Sequence, residues 1–204
     1  MASIDLKRIY RDEYTAEVGK PALVTVPARP FLMVDGRGNP GASPEYVAAV
    51  ETLYPLAYGI RAAIKEKFGD GYTVLPLEGL WWADDMDAFR ADRRGEWLWT
   101  MMIGLPDLAD AAMAAAVLPE VTKKKNLASG HKVRFEIFEE GECAQVMHVG
   151  PSSEEAPTID LLHQFIAAEG LELAGKHQEL DLGDPRKSDP AKLKTIIRQP
   201  VTHL

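Results

Sequence analysis

Polar and apolar residues alternate most cleanly near the end of the chain. In residues 175–201, His177, Glu179 and Asp181 fall on one side of a strand, with Leu180 and Leu182 on the other, because successive strand side chains point to opposite faces. The segment reads as strand, polar loop, short helical turn and strand. Upstream, Ala22–Val26 and residues 30–35 are β-rich runs broken by Pro27 and Pro30. Turn residues mark 36–44 as a loop. Its Gly-x-Gly lacks the third glycine of a dinucleotide-binding turn. Ser43-Pro44 then opens a helix, Ser as N-cap and Pro in the first turn. Val47, Val50, Tyr54, Ala57, Ile64 and Phe68 recur at three- and four-residue steps and form its expected apolar face. Pro55 should kink or split that helix.

A strand follows over residues 72–82, where Glu78 shares parity with Leu80 and Trp82 and Trp81 points the other way. Residues 83–96 are a charged loop. Residues 97–103 form a strand with Trp97, Trp99, Met101 and Ile103 on one side. An alanine-rich helix is expected over roughly 108–117, with Lys123–Asn126 as a solvated connector. Strands at 132–139 and 143–150 flank a hairpin-like turn, residues 151–157 are a loop, and a helix ends at Gly170.

The two halves share one order of elements: strand, strand, helix, strand with a glutamate, loop, strand. Glu78 follows the end of its helix at Phe68 by ten residues, and Glu179 follows Ala168 by eleven. The fold class is therefore α+β: a single domain over 1–204 with an arm at 1–19, anchored by Ile9, Tyr10 and Tyr14, and approximate repeats at 20–104 and 130–204. Two pseudo-symmetric units, each with one sheet face covered by a helix, would meet through their open faces. A central ligand pocket would lie there, since ligand sites commonly form at such interfaces.

Composition narrows the function classes. A net charge of −8 argues against direct nucleic-acid binding. Cys143 is the single cysteine, so no disulfide framework exists and a reducing compartment is permitted. The first residues carry no signal-peptide core, and no apolar run is long enough to span a bilayer; the cytoplasm is the default location. The five histidines have no metal-ligand spacing. Neither a metal nor a cofactor is expected.

The pairing of LEGLWW (Leu77–Trp82) with KHQELDLGDPRKSDPAKLKTIIRQPV (residues 176–201) resembles the GyrI-like small-molecule-binding domain family. The specific part is His-x-Glu, a loop with Asp-Pro-Arg, Lys-Leu-Lys-Thr-Ile and Arg-x-Pro-Val. The resemblance implies paired β-α-β-β modules around a central pocket. Family members bind varied, often aromatic or cationic molecules. Some are effector halves of transcription regulators, some inhibit DNA gyrase, and some hydrolyse cyclopropane-bearing DNA-alkylating natural products. Asp181 stands where many relatives carry Tyr, and no helix-turn-helix precedes the domain here.

The expected ligand is a hydrophobic, aromatic or cationic small molecule, bound for sequestration or sensing. Glu78 and Glu179 would supply charge, and Trp82, Trp97, Trp99, Tyr54 and Met101 the walls, through stacking and cation–π contacts. His177 would tune Glu179. As a general base for water, Glu179 would be catalytic in the alternative, a cofactor-free hydrolase. A second alternative is a protein-interaction module whose partner is gyrase or a regulator.

Overall fold

The computed structural model describes residues 4–85, 87–90, 93–183 and 188–203. The loop at Asp184-Pro185-Arg186 lies outside the described residues. The elements run α1 (Leu6–Ile9), β1 (Ala22–Val26), β2 (Arg29–Arg37), α2 (Pro44–Phe68), β3 (Leu77–Trp82), α3 (Asp87–Arg90) and β4 (Leu98–Gly104). They continue with α4 (Ala111–Lys125), β5 (Arg134–Phe138), β6 (Gly141–Val149), α5 (Ala156–Ala168), β7 (Leu171–Leu173), β8 (His177–Asp181) and β9 (Lys194–His203). Helices and antiparallel sheet are thus mixed in one chain, as the alternating pattern requires. The chain divides into two compact units, Met1–Ile9 with Arg29–Phe138, and Tyr10–Ala28 with Glu139–Leu204.

The first unit is a four-stranded antiparallel sheet in the order β3-β4-β2-β5. Its long helix starts where Ser43 caps it, the Oγ accepting from the Tyr46 N–H at 3.3 Å, with Pro44 in the first turn. Gly69, at φ 89°, ends it in a conformation that a side chain would strain. The helix runs unbroken through Pro55. Its buried side is Ala49, Leu53, Leu56, Ala57, Ile60 and Ile64, whereas Val47 and Phe68 are half exposed. The apolar face read from the sequence was therefore rotated. The physical reason is that α2 packs on two partners. A Cβ on Gly59 would come within 2.7 Å of Val121 on α4, so the helices approach closely there while α2 also covers the sheet. Asp110 caps α4 by accepting from the Met113 N–H at 2.7 Å, and Asn126 closes it at φ 51°. Lys123–Lys125 are the last turn of that helix, not a connector, where cations complement the negative end of the helix dipole.

The second unit has the order β8-β9-β6-β1, with β7 also pairing along β9. Here β1 pairs with β6, although it lies in the first repeat by sequence. Pro27 and Pro30 lack the N–H groups that a β1–β2 hairpin ladder would use. Helix α5 covers one face of this sheet, burying Leu162 and Ile166 against Ala144, Val146, Leu171, Ile197 and Val201. On the opposite face, Arg198 is 2% exposed and spends its donors on side-chain and main-chain oxygens. It donates to Gln145 Oε1, Glu140 Oε2, Gln178 Oε1 and the Glu13 carbonyl. Gln145 in turn donates to the Asp12 and Thr15 carbonyls at 2.7 and 3.1 Å. These bonds, with buried Tyr14, hold the arm segment within this unit; Ile9, expected as an anchor, is 62% exposed.

Candidate functional site

The register of the second unit decides which way the β8 acids point. Glu179 pairs with Ile197, and Ile197 with Val146; Asp181 pairs with Thr195, and Thr195 with His148. Ile197 and Val146 belong to the core under α5. His177, Glu179 and Asp181 therefore share the α5 face of the sheet. A fourth ionisable residue, Glu155, joins them from the turn that starts α5. That turn is held by His148, whose Nδ1 meets Thr158 Oγ1 at 3.0 Å and whose Nε2 meets the Pro151 carbonyl at 3.3 Å. Because a carbonyl only accepts, Nε2 carries the hydrogen and Nδ1 accepts from the threonine hydroxyl.

The cluster packs three carboxyls and an imidazole together, Glu155 buried and the other three partly exposed. His177 Nε2 lies 3.3 Å from Glu179 Oε1, and the two side chains retain 15% and 23% exposure. Glu155 is 4% exposed. Burial, followed by repulsion from Glu179, pushes the Glu155 carboxyl far above the usual carboxylate range, with His177 acting the other way and Asp181 adding to the rise. A side-chain hydrogen bond joins Glu155 to Glu179. Two carboxylates in contact hold one proton between them, since both cannot ionise cheaply side by side. Burial lowers His177 to about 4, so its imidazole is neutral at pH 7. Burial and then the Glu179 charge raise Asp181 to about 7. At neutral pH the cluster thus contains a protonated Glu155 carboxyl, a neutral His177 that donates toward Glu179, and an aspartate near its midpoint. Such a set can hold a cation or pass protons to and from a bound molecule.

The other expected site residues distribute over both faces of the first unit's sheet. Glu78 is buried, 1% exposed, and its row across the sheet is Glu78, Met102, Met33. That row faces away from α2, beside the cluster of Phe31, Met33, Leu80 and Met102 against which Trp82 and Phe138 pack. Trp99 pairs with Trp81 and with Gly36. This places Trp99 and Met101 on the α2 side, fully buried, with Tyr46 of α2 against Trp81 and Trp99 at ring distances of 6.1 and 5.4 Å. Trp97 stacks on Phe89 at 4.7 Å and meets Trp81 edge-on at 6.1 Å. Tyr54 is partly buried on α2. The register therefore separates Trp82 from Trp97, Trp99 and Met101, which the sequence had gathered into one wall.

Glu78 and Glu179 are not equivalent positions either. Glu78 faces away from its unit's helix and Glu179 faces toward its own. On β8 the residues that face away from α5 lie in the row Gln178, Arg198, Gln145. The spacing of ten against eleven residues carried this signal: one residue in a strand exchanges the faces. Glu155 was missed because it sits in a turn remote in sequence from β8, with no local pattern to mark it. Asp181 is legible in the sequence as a face-mate of Glu179. Among the described residues no group is arranged to hold a metal ion, and no helix is long and apolar enough to cross a membrane.

Among curated proteins, none matches the chain. An uncharacterized conserved protein from Listeria innocua is similar at 40% identity and TM-score 0.89, over 98% of this chain and 100% of that one. Two structures described as hydrolases from Listeria innocua are similar at 38% identity, with TM-scores of 0.85 and 0.87 and the same coverage. The GyrI-like small molecule binding domain profile matches residues 19–201, nearly the whole chain. With that match over the same sheets and helices, the chain belongs to the GyrI-like small-molecule-binding domain family.

Proposed function

We propose that the protein binds a small electrophilic organic molecule at the β8 carboxylate cluster and hydrolyses it, with Glu179 as general base. The observation that carries this reading is the grouping of Glu179 with Asp181 and His177 on one face of β8, His177 Nε2 lying 3.3 Å from Glu179 Oε1, with the buried Glu155 beside them. A partly buried carboxylate with a donor on one side is suited to take a proton from water, and general-base assistance of this kind contributes roughly 10²–10⁴-fold. His177 Nε2–H orients the Glu179 oxygen. The description of two relatives at 38% identity as hydrolases supports the reading. The substrate class we favour is a strained ring conjugated to an acceptor, as in cyclopropane-bearing alkylators, because opening it needs only water, a base and a proton. Incubation with a spirocyclopropyl cyclohexadienone in ¹⁸O-water should give the labelled water adduct by mass spectrometry. Adduct formation no faster than in buffer alone would refute the proposal.

The second reading is binding without turnover, with the cluster as counter-charge for a cation. The family's small-molecule-binding character favours it, as does the carboxylate excess that appears once Asp181 ionises above about 7. Quenching of tryptophan fluorescence by an aromatic cation should then be stronger at pH 8 than at pH 6, and weaker in Glu179→Gln. Quenching independent of pH and of Glu179 would remove this reading.

A further inference from the structure

We infer that Asp181 is the proton donor to the leaving group in the reaction for which Glu179 is the base. The inference rests on the hydrolytic reading above and adds the second half of its proton inventory. Asp181 and Glu179 are two residues apart on one face of β8. Their Cα atoms are about 7 Å apart, given the rise of a strand. Carboxyl pairs separated by several ångströms leave space for a water and a reacting carbon between them, with one group as base and the other as acid.

The surroundings favour Asp181 for the acid role. The described groups on its side are His177 and Glu179 on β8, Thr195 on β9, His148 on β6 and Glu155 at the start of α5. None is a lysine or arginine that would hold Asp181 ionised. Glu155, the other candidate, is engaged with Glu179 through its hydrogen bond and is nearly inaccessible, whereas Asp181 is partly exposed. Glu155 is also the more deeply buried of the two, and its Oε1 meets no donor among the described residues. Buried acceptors of this kind are normally satisfied. Burial and the neighbouring Glu179 charge raise Asp181 to about 7, so it still holds a proton to give near neutral pH.

The step balances without another reagent. Water's oxygen forms a bond to the electrophilic carbon, and its proton goes to Glu179. The ring carbon–carbon bond breaks, its electron pair moves through the conjugated ring to the dienone oxygen, and the Asp181 O–H proton is delivered there, giving a phenol. Glu179 ends protonated and Asp181 ionised, so one proton passed back resets the site.

The test uses two spirocyclopropyl cyclohexadienones whose product phenols differ in acidity, with wild type, Asp181→Asn, Asp181→Glu and Glu179→Gln, all checked for folding by circular dichroism. Asp181→Asn should lower kcat on the less acidic phenol by roughly 10²–10⁴-fold, and by less on the more acidic one, which needs less help from a proton. The wild-type rate should fall as pH rises through about 7, and this limb should vanish in Asp181→Asn. Asp181→Glu should restore part of the rate. Rates in Asp181→Asn within about threefold of wild type on both substrates, or an equal loss on both, would overturn the assignment. If Glu179→Gln is inactive while Asp181→Asn is not, the donor assignment alone fails. If Glu179→Gln keeps the wild-type rate, or wild type opens neither ring, the hydrolytic reading fails with it.

Discussion

Replacing Asp181 by Asn should stabilise the protein above neutral pH while impairing its chemistry. In the folded state burial and Glu179 keep the Asp181 proton on until about 7, whereas an ordinary aspartate releases it near 3.8. The folded form therefore binds more protons than the unfolded form between those values, so stability falls as pH rises across that window. Holding the proton over that range costs about 4 kcal/mol at and above pH 7, an upper figure because Glu179 adjusts with it. Below about pH 4 both states are protonated and the cost vanishes. An amide keeps the shape and a donor without a proton to lose. Asp181→Asn should thus gain about 2–4 kcal/mol over wild type at pH 8 and nothing at pH 3.5, which for a chain of this size is a rise in Tm on the order of 4–16 °C. The lowered His177 works in the opposite direction between about 4 and 6.5, but it does so in both proteins and cancels in the difference. Urea unfolding followed by far-ultraviolet circular dichroism at pH 3.5, 6 and 8 measures this. A difference that is equal at all three pH values, or a less stable mutant at pH 8, would refute the reasoning.

Glu155→Gln should remove the further decline in wild-type stability above pH 7, since the raised Glu155 is the group still protonated there; an unchanged decline in the same urea series would contradict the shared proton. Gly36→Ala should lower stability by about 1–3 kcal/mol, because its Cβ would lie 2.0 Å from the fully buried Trp99 ring; a neutral Tm would show that the ring can move. Arg198→Met should cost about 3–5 kcal/mol by leaving Glu140 buried without its cation, and Arg198→Lys should not rescue it, since one ammonium cannot reach all of the acceptors that the guanidinium forks to. A thermal melt of Arg198→Lys matching wild type would disprove that account of the buried network.

The sequence carried the elements further than it carried their pairing. Period-two alternation placed β8 and β9 and the parity of Trp81 and Trp82, because those patterns are local. The long helix was visible from Ser43 to Gly69, but not its buried side, since contact with both α4 and the sheet spread the apolar positions round the axis. Partner choice was hidden where chain neighbours are not sheet neighbours: β1 joins β6 and leaves β2. In the site, His177, Glu179 and Asp181 were readable as one face of a strand. Glu155 was not, because its proximity depends on where His148 fixes the turn before α5. The pairing of Glu78 with Glu179 failed for a local reason, a single-residue offset that reverses the face.

In the proposed hydrolysis the Glu179 carboxylate takes the proton from the attacking water. The most direct measurement of this step is the single-turnover rate of ¹⁸O-labelled adduct formation from a spirocyclopropyl cyclohexadienone at pH 7, for wild type and for folded Glu179→Gln. A loss of about 100-fold or more is expected in the variant, and equal rates in the two proteins would rule out Glu179 as the base.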